Sequence, residues 1–128
     1  MLLLYFILLF LPTQEEHKEI HFGNGGGFSG MVYHYVLDES GNVYQFNTFS
    51  EEKTPLRKIE VEVVDSLWET IDNEKLDEIN INKPGNMYKF VTFERNGEIH
   101  KLVWNGKSEN NSLNLLYKEL NMLRQLKE

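Results

Sequence analysis

A glycine-rich segment at 22–30, FGNGGGFSG, comes closest to a chemical motif in this chain. Its glycines at 25, 27 and 30 fit the G-x-G-x-x-G pattern of dinucleotide-binding loops, which requires a helix directly afterwards to receive the pyrophosphate. A strand-like stretch, MVYHYVL at 31–37, follows instead, so this interpretation fails. Protein kinases use a similar loop between two strands, but the other kinase motifs are absent and the chain has about half the necessary length. The segment therefore predicts a turn or bulge between strands, with a partner-binding loop as the alternative.

Two loops are the candidate binding elements, because loops held on a rigid scaffold often carry binding residues. One is the centre of the glycine-rich segment, and the other is a predicted hairpin turn further along the chain. The candidate binding residues are Gly25, Gly26, Gly27, Phe28, Ser29, Asn96 and Gly97. Gly30 directly precedes a predicted strand, and we expect it to have a structural role instead.

The four histidines could take part in acid–base or metal chemistry. His17 and His21 are four residues apart, a spacing that suits a metal on a helix, and no helix is expected there. His34 and His100 lie in predicted strands that could be sheet neighbours, with a carboxylate as third ligand. Isolated strand histidines are more often packing residues, and the carboxylates at 60–78 are typical of a solvated helix face. We expect no catalytic residue, no metal and no cofactor.

The composition excludes several classes of function. The chain has 128 residues, no cysteine and a formal net charge of -7. This length suits a single domain. Without cysteine there are no disulfides, no thiolate metal sites and no cysteine nucleophile. The acidic balance argues against nucleic-acid binding, which depends on lysine and arginine to neutralise phosphates.

The N-terminal residues indicate where the protein is located. Residues 1–14 carry no charge, and 2–11 form an uninterrupted apolar run. A bilayer crossing needs about 20 residues, whereas a run of this length suits a signal peptide. We predict a signal peptide or hydrophobic anchor at 1–14, a tether at 15–19 and a single domain at 20–128. No basic residue precedes the run and no small-x-small cleavage site follows it. A start assigned too far downstream would account for the missing basic residues. The alternative to a signal peptide is that the run forms a buried strand or helix.

Hydrophobic periodicity predicts the elements that position the candidate residues. Strands are predicted at 20–22, 31–37, 43–49, 87–94 and 98–104, and helices at about 60–73 and 111–126. Turn residues at 38–42 and at Asn96-Gly97 predict two hairpins, and a polar loop is expected at 50–55. The order β-β-β-α-β-β-α predicts a two-layer α+β fold, in which an antiparallel sheet of four to five strands packs both helices on one face.

Three short stretches occur together: FGNGGGFSG at 22–30, PGNMYKF at 84–90 and HKLVWNG at 100–106. Over roughly 20–125, the chain resembles a group of small uncharacterised envelope proteins of Gram-negative bacteria, many of them lipoproteins. The resemblance implies an extracytoplasmic location in the periplasm, the outer envelope or the medium, and it implies no catalytic residues. A lipoprotein needs a cysteine after its apolar run, and this chain has none.

These observations predict an exported, non-enzymatic envelope protein that acts as a protein- or ligand-binding module, an inhibitor-like role included. Its expected partner is an envelope protein, a peptide or a glycan, and membrane association is expected only through the N-terminal apolar segment. The alternative is a small hydrolase or metal-dependent enzyme that uses His34 or His100 with a nearby carboxylate. A third interpretation is a purely structural domain. A concave pocket holding one of these histidines beside an acid would favour the enzyme.

Overall fold

The computed structural model describes residues 16–28 and 30–125. The strands are β1 (Lys18–Gly26), β2 (Val32–Asp38), β3 (Asn42–Phe46), β4 (Lys53–Lys58), β5 (Met87–Arg95) and β6 (Glu98–Trp104). Helix α1 (Val61–Asn73) follows β4, and helix α2 (Asn111–Gln125) follows β6. The strands form one sheet in the order β4-β3-β2-β1-β5-β6, and every neighbouring pair is antiparallel. The predicted α+β class and antiparallel sheet are confirmed.

The sheet has six strands, so the prediction of four to five was wrong. The additional strand is β4, which begins inside the stretch 50–55 that was expected to be a polar loop. Pro55 has no N–H to donate, and a strand containing it is tolerated because β4 lies at the sheet edge. At the other end of the chain, β1 begins at Lys18. Lys18 and Glu19 therefore belong to the sheet rather than to the predicted tether, while the segment predicted at 1–14 lies outside the described residues.

Strand β1 also runs through the first glycines, where the sequence predicted its end. A Cβ atom at Gly23 would meet the backbone carbonyl oxygen of Tyr33 on β2 and lie 3.0 Å from the ring of Phe90 on β5. Glycine thus lets the central strand approach its neighbours closely at this point. The predicted turn starts only at Gly26, where φ is +95°.

The two hairpins predicted from turn residues are confirmed. Asn96 and Gly97 both have positive φ, 51° and 87°, as a type I′ turn between β5 and β6 requires. Between β2 and β3, the Asp38 carboxylate accepts hydrogen bonds from the backbone N–H groups of Ser40 at 3.0 Å and Asn42 at 2.9 Å. Both turns therefore follow from local side-chain chemistry.

Successive strand side chains alternate between the two faces of the sheet. One face, called the core face, joins the buried residues of both helices in a single hydrophobic cluster. The strands contribute Ile20, Phe22, Tyr35, Leu37, Val43, Val91, Phe93, Leu102 and Trp104 to that cluster, and the helices contribute Val64, Leu67, Trp68, Ile71, Leu113, Leu116, Tyr117 and Leu120. The opposite face, called the histidine face, carries His21 and His34 on neighbouring strands. Among the described residues, no helix is both long enough and apolar enough to cross a membrane.

Candidate functional sites

The two predicted binding loops lie at opposite ends of β1. At one end, the Gly27 N–H donates to the Asn86 carbonyl at 2.7 Å, and at the other the Asn96 N–H donates to the His17 carbonyl at 2.9 Å. The full length of β1 separates the two loops, so they do not form one contact surface. Ser29 lies outside the described residues.

The glycine-rich segment contains glycines that pack closely against neighbouring groups and glycines with open space around them. A Cβ at Gly25 would lie 2.6 Å from the Tyr88 hydroxyl, and a Cβ at Gly26 would meet the Asn86 carbonyl oxygen. Backbone contact and a φ of +95° favour glycine at Gly26, whereas at Gly25 the Tyr88 side chain would have to move; the expected contact role of both glycines stays a prediction. Gly30 has nothing within 4 Å of a built Cβ, but its φ of +63° also favours glycine, and its expected structural role stays a prediction. Phe28 is fully exposed, which leaves it as the candidate from this loop that is free to touch a partner.

A groove of about 950 Å³ lies beside Gly25, between α2 and the ends of β1, β5 and β6. Its described lining residues are Asn24, Gly25, Met87, Tyr88, Lys89, Trp104, Asn105, Gly106, Lys107, Asn114, Tyr117, Lys118, Asn121, Met122 and Gln125. They include four asparagines and three lysines but no aspartate or glutamate. Residues distant in sequence form this groove, which is why no motif indicated it.

The groove is locally positive in a chain whose net charge is -7. Lys89 is fixed at its edge, because its ammonium donates to the Gly106 carbonyl at 3.0 Å and lies 5.5 Å from the centre of the Tyr117 ring. Lys107 and Lys118 are exposed. Within 16–28 and 30–125, no carboxylate forms an ion pair with any of these three lysines.

On the histidine face, His21 and His34 share a hydrogen bond, with Nδ1 of the first 2.8 Å from Nε2 of the second. The rings of Phe46 and Phe90 pack against His34, their centres 4.7 Å and 5.2 Å from the imidazole centre. The pKa of His34 is lowered to about 4, mainly by burial and in addition by the neighbouring His21 and Lys101. Burial also lowers the pKa of His21, although Glu19 and Glu94 oppose that effect. Both imidazoles are therefore mainly neutral at pH 7, and the ring that donates in their shared hydrogen bond keeps its other nitrogen as an acceptor.

His21 also belongs to a histidine–glutamate cluster, which is formed by His17, Glu19, His21 and Glu94. His17 Nε2 lies 3.3 Å from Glu19 Oε1, and His21 Nε2 lies 3.6 Å from an oxygen of each glutamate. Ligand atoms of His17, Glu19 and Glu94 all lie within 4.8 Å of one another. Sequence analysis missed this cluster because it placed His17 in a tether and considered only helical spacing. On a strand, the pattern His-x-Glu-x-His puts all three side chains on one face.

The proposed pairing of His34 with His100 is wrong. His34 is on β2 and His100 on β6, and two strands lie between them. His100 is opposite Phe93, a core-face residue, and its Nε2 lies 2.6 Å from the Ile79 carbonyl oxygen. Within the described part of the chain, neither histidine forms an ion pair with a carboxylate.

Besides a smaller pocket of about 410 Å³ that includes His100, Asp77 and Glu98, the described residues offer the lysine-bearing groove and the histidine–glutamate cluster as places for ligand chemistry. They lie at opposite ends of β1, because the groove includes Asn24 and Gly25 whereas the cluster includes His17 and Glu19. The resemblance to envelope proteins stays a prediction. No protein-family model matches the chain, and no curated protein matches it significantly.

Proposed function

We propose that the protein is a non-enzymatic binding module whose groove receives an acidic segment of a partner protein. The observation that carries this proposal is the groove lining, in which three lysines stand without a described carboxylate in an otherwise acidic chain. Complementary charge steers a partner toward such a surface and suppresses wrong partners. An acidic partner segment would supply the counter-charges that the groove lacks.

The apolar lining supports a peptide ligand rather than a glycan. Met87 is 67% exposed and Met122 is 52% exposed, and flexible methionines adapt to apolar side chains of different shapes. Trp104 and Tyr117 are only 2% and 6% exposed, so their rings offer little face for a sugar to stack on. The asparagine amides around them can donate to and accept from a peptide backbone.

The proposed groove depends on a finer feature of the fold, that both helices pack on the core face. This arrangement is supported by the hydrophobic cluster, which unites buried residues of α1 and α2 with core-face residues of five strands. Tyr117 of α2 also donates its hydroxyl to the Gly23 carbonyl of β1 at 3.0 Å, in a buried hydrogen bond. The helix that forms one wall of the groove is thereby tied to the central strand.

Charge reversal in the groove should weaken binding of an acidic peptide. The probe is a fluorescein-labelled peptide of alternating glutamate and leucine, with a glutamine–leucine peptide of equal length as the uncharged reference. We expect the double variant Lys107→Glu/Lys118→Glu to bind the acidic peptide about 10-fold more weakly, since each exposed pair is worth about 0.2–1 kcal/mol and reversal adds repulsion. Fluorescence anisotropy at two salt concentrations measures the effect, which salt should diminish.

Lys58→Glu is the matched control, because Lys58 ends β4 at the far edge of the sheet. It makes the same chemical change outside the groove and should leave binding nearly unchanged. Equal affinity for the two peptides, or equal loss in the control, would contradict the proposal. Preference for an acidic oligosaccharide such as polygalacturonate over the acidic peptide would replace the peptide with a glycan.

We also propose that the protein works outside the cytoplasm, which the uncharged apolar run at 2–11 supports. Expressed in a Gram-negative host, the full chain should appear in the periplasmic or membrane fraction, and a chain lacking 1–14 should stay in the cytoplasm. Immunoblots of the separated fractions, with a marker enzyme for each, measure this. A full chain found only with the cytoplasmic marker would refute export.

A further inference from the structure

Two carboxylates and two imidazoles converge on the histidine face at the start of β1. Glu19 and Glu94 are directly opposite each other across the β1–β5 pair, and His17 and His21 flank Glu19 along β1. We propose that His17, Glu19, His21 and Glu94 bind one divalent transition-metal ion of the zinc type. This site is separate from the groove and does not depend on the proposed function.

Ligand atoms of His17, Glu19 and Glu94 all lie within 4.8 Å of one another, and His21 Nε2 approaches both glutamates from the side of β1. Zinc lies about 2.0–2.2 Å from nitrogen and oxygen ligands, so in a tetrahedron neighbouring ligand atoms are about 3.3–3.6 Å apart. The His17 Nε2–Glu19 Oε1 distance is 3.3 Å, and His21 Nε2 lies 3.6 Å from Oε2 of both Glu19 and Glu94.

The outer nitrogen of each histidine already faces a partner. His17 Nδ1 lies 3.5 Å from Oε1 of Glu39, and His21 Nδ1 lies 2.8 Å from Nε2 of His34. Metal-binding histidines almost always donate their second ring N–H to a carboxylate, a backbone carbonyl or water, which fixes the tautomer and the ring orientation. Glu39 is such a partner for His17, and an imidazole nitrogen takes that place for His21. With Nδ1–H of His21 donating to His34, the lone pair on Nε2 points toward the two glutamates.

The cluster also has charge that the described chain does not fully neutralise. Like charges directly opposite each other in a sheet are destabilising, and Glu19 is buried at 8% exposure. Lys53, whose ammonium lies 3.5 Å from Glu19 Oε2, is 42% exposed along its side chain. His21 Nε2 is buried without a hydrogen-bond partner among the described residues. A divalent cation would satisfy that nitrogen and both carboxylates together.

The donor set indicates the class of metal. Two imidazole nitrogens with two carboxylate oxygens suit zinc and its first-row neighbours, whereas calcium and magnesium prefer oxygen ligands alone. We therefore expect selectivity for zinc over calcium and magnesium.

The test is a zinc titration of the purified chain after chelator treatment. Isothermal titration calorimetry at pH 7.5 should give one zinc ion per chain, and magnesium and calcium should give no saturable heat. Glu94→Gln and His17→Gln should each weaken zinc binding at least about 10-fold. Removing a group that only supports a metal ligand already costs about 10-fold or more in metal affinity, so removing a ligand should cost at least as much. These two side chains are the more exposed members of the cluster, so their variants should fold even if His21→Gln does not.

Matched controls make the same substitutions elsewhere. Glu98→Gln changes an exposed carboxylate of β6, and His100→Gln changes a histidine on the core face; both should keep the wild-type affinity. The proposal is overturned if the wild-type chain shows no one-to-one zinc binding. It is equally overturned if Glu94→Gln and His17→Gln bind zinc as tightly as Glu98→Gln, because the zinc would then be held by scattered surface groups.

Discussion

The Gly23→Ala substitution is expected to lower the free energy of unfolding by about 3 kcal/mol or more. Its Cβ would collide with the backbone carbonyl oxygen of Tyr33 and crowd the Phe90 ring. Overpacking in a well-packed region typically costs about 1–3 kcal/mol, and here the obstacle is backbone, so the β1–β2 ladder itself must separate. Urea denaturation followed by tryptophan fluorescence measures the loss.

Gly30→Ala is the control for that substitution. Its φ of +63° costs an alanine about 1–2 kcal/mol, but a built Cβ at Gly30 has nothing within 4 Å. Comparing the two variants therefore separates the effect of the steric collision at Gly23 from the cost of a positive φ at Gly30. A Gly30→Ala variant less stable than Gly23→Ala would show that the turn, and not the strand, is what the glycine-rich segment must preserve.

The Leu120→Ala substitution is the second change with a large expected effect, about 2–5 kcal/mol of lost stability. Leu120 is fully buried in the cluster that joins α2 to the core face, and leucine truncation in such a site leaves a cavity. Leu115→Ala on the same helix is the matched control, because Leu115 is 55% exposed; it should change stability by about 0.5 kcal/mol or less. Chemical denaturation of both variants measures the difference.

The same pair of variants also tests the role of α2 in the groove. Asn114, Lys118 and Met122 line the groove from this helix, so loosening α2 should weaken peptide binding in Leu120→Ala and not in Leu115→Ala. If Leu120→Ala and Leu115→Ala were equally stable, the apolar stripe of α2 that includes Leu120 would lie outside the core.

The predictable parts of the fold are those that local chemistry determines. The stripe of Leu113, Leu116, Tyr117, Leu120 and Leu123 predicts α2; the first four are buried, and Leu123 is partly buried against the same cluster. Asn96-Gly97 predicts a type I′ hairpin because both residues tolerate positive φ. In each case the decisive interactions lie within one helix or one turn, so the pattern is complete in the sequence.

The unpredicted parts depend on neighbours distant in the chain. The glycines of β1 look like a turn until Tyr33 and Phe90 are placed beside Gly23, where a side chain has no space. Strand β4 contains Pro55, which is compatible with a strand only at an edge. A linear pattern does not reveal which strand is at the edge.

The two candidate sites also differ in how far the sequence alone could predict them. The groove combines residues from three strands, the loop after β6 and α2, and its positive character appears only when these are assembled. The histidine–glutamate cluster was within reach of the sequence, because its His-x-Glu-x-His pattern has the period of a strand. Treating the stretch before Ile20 as a tether concealed it.

The central position of β1 has a consequence for how the chain is synthesised and folded. Among the described strands, β1 leaves the ribosome before the others, yet one of its two neighbours, β5, emerges only after β2, β3, β4 and α1. Until then, one side of the strand exposes unpaired backbone groups that invite pairing with another chain. Closing so long a loop is also slow. A nascent chain that stalls before β5 therefore keeps this edge open to aggregation, and a binding factor that covers the open edge of β1 would protect it.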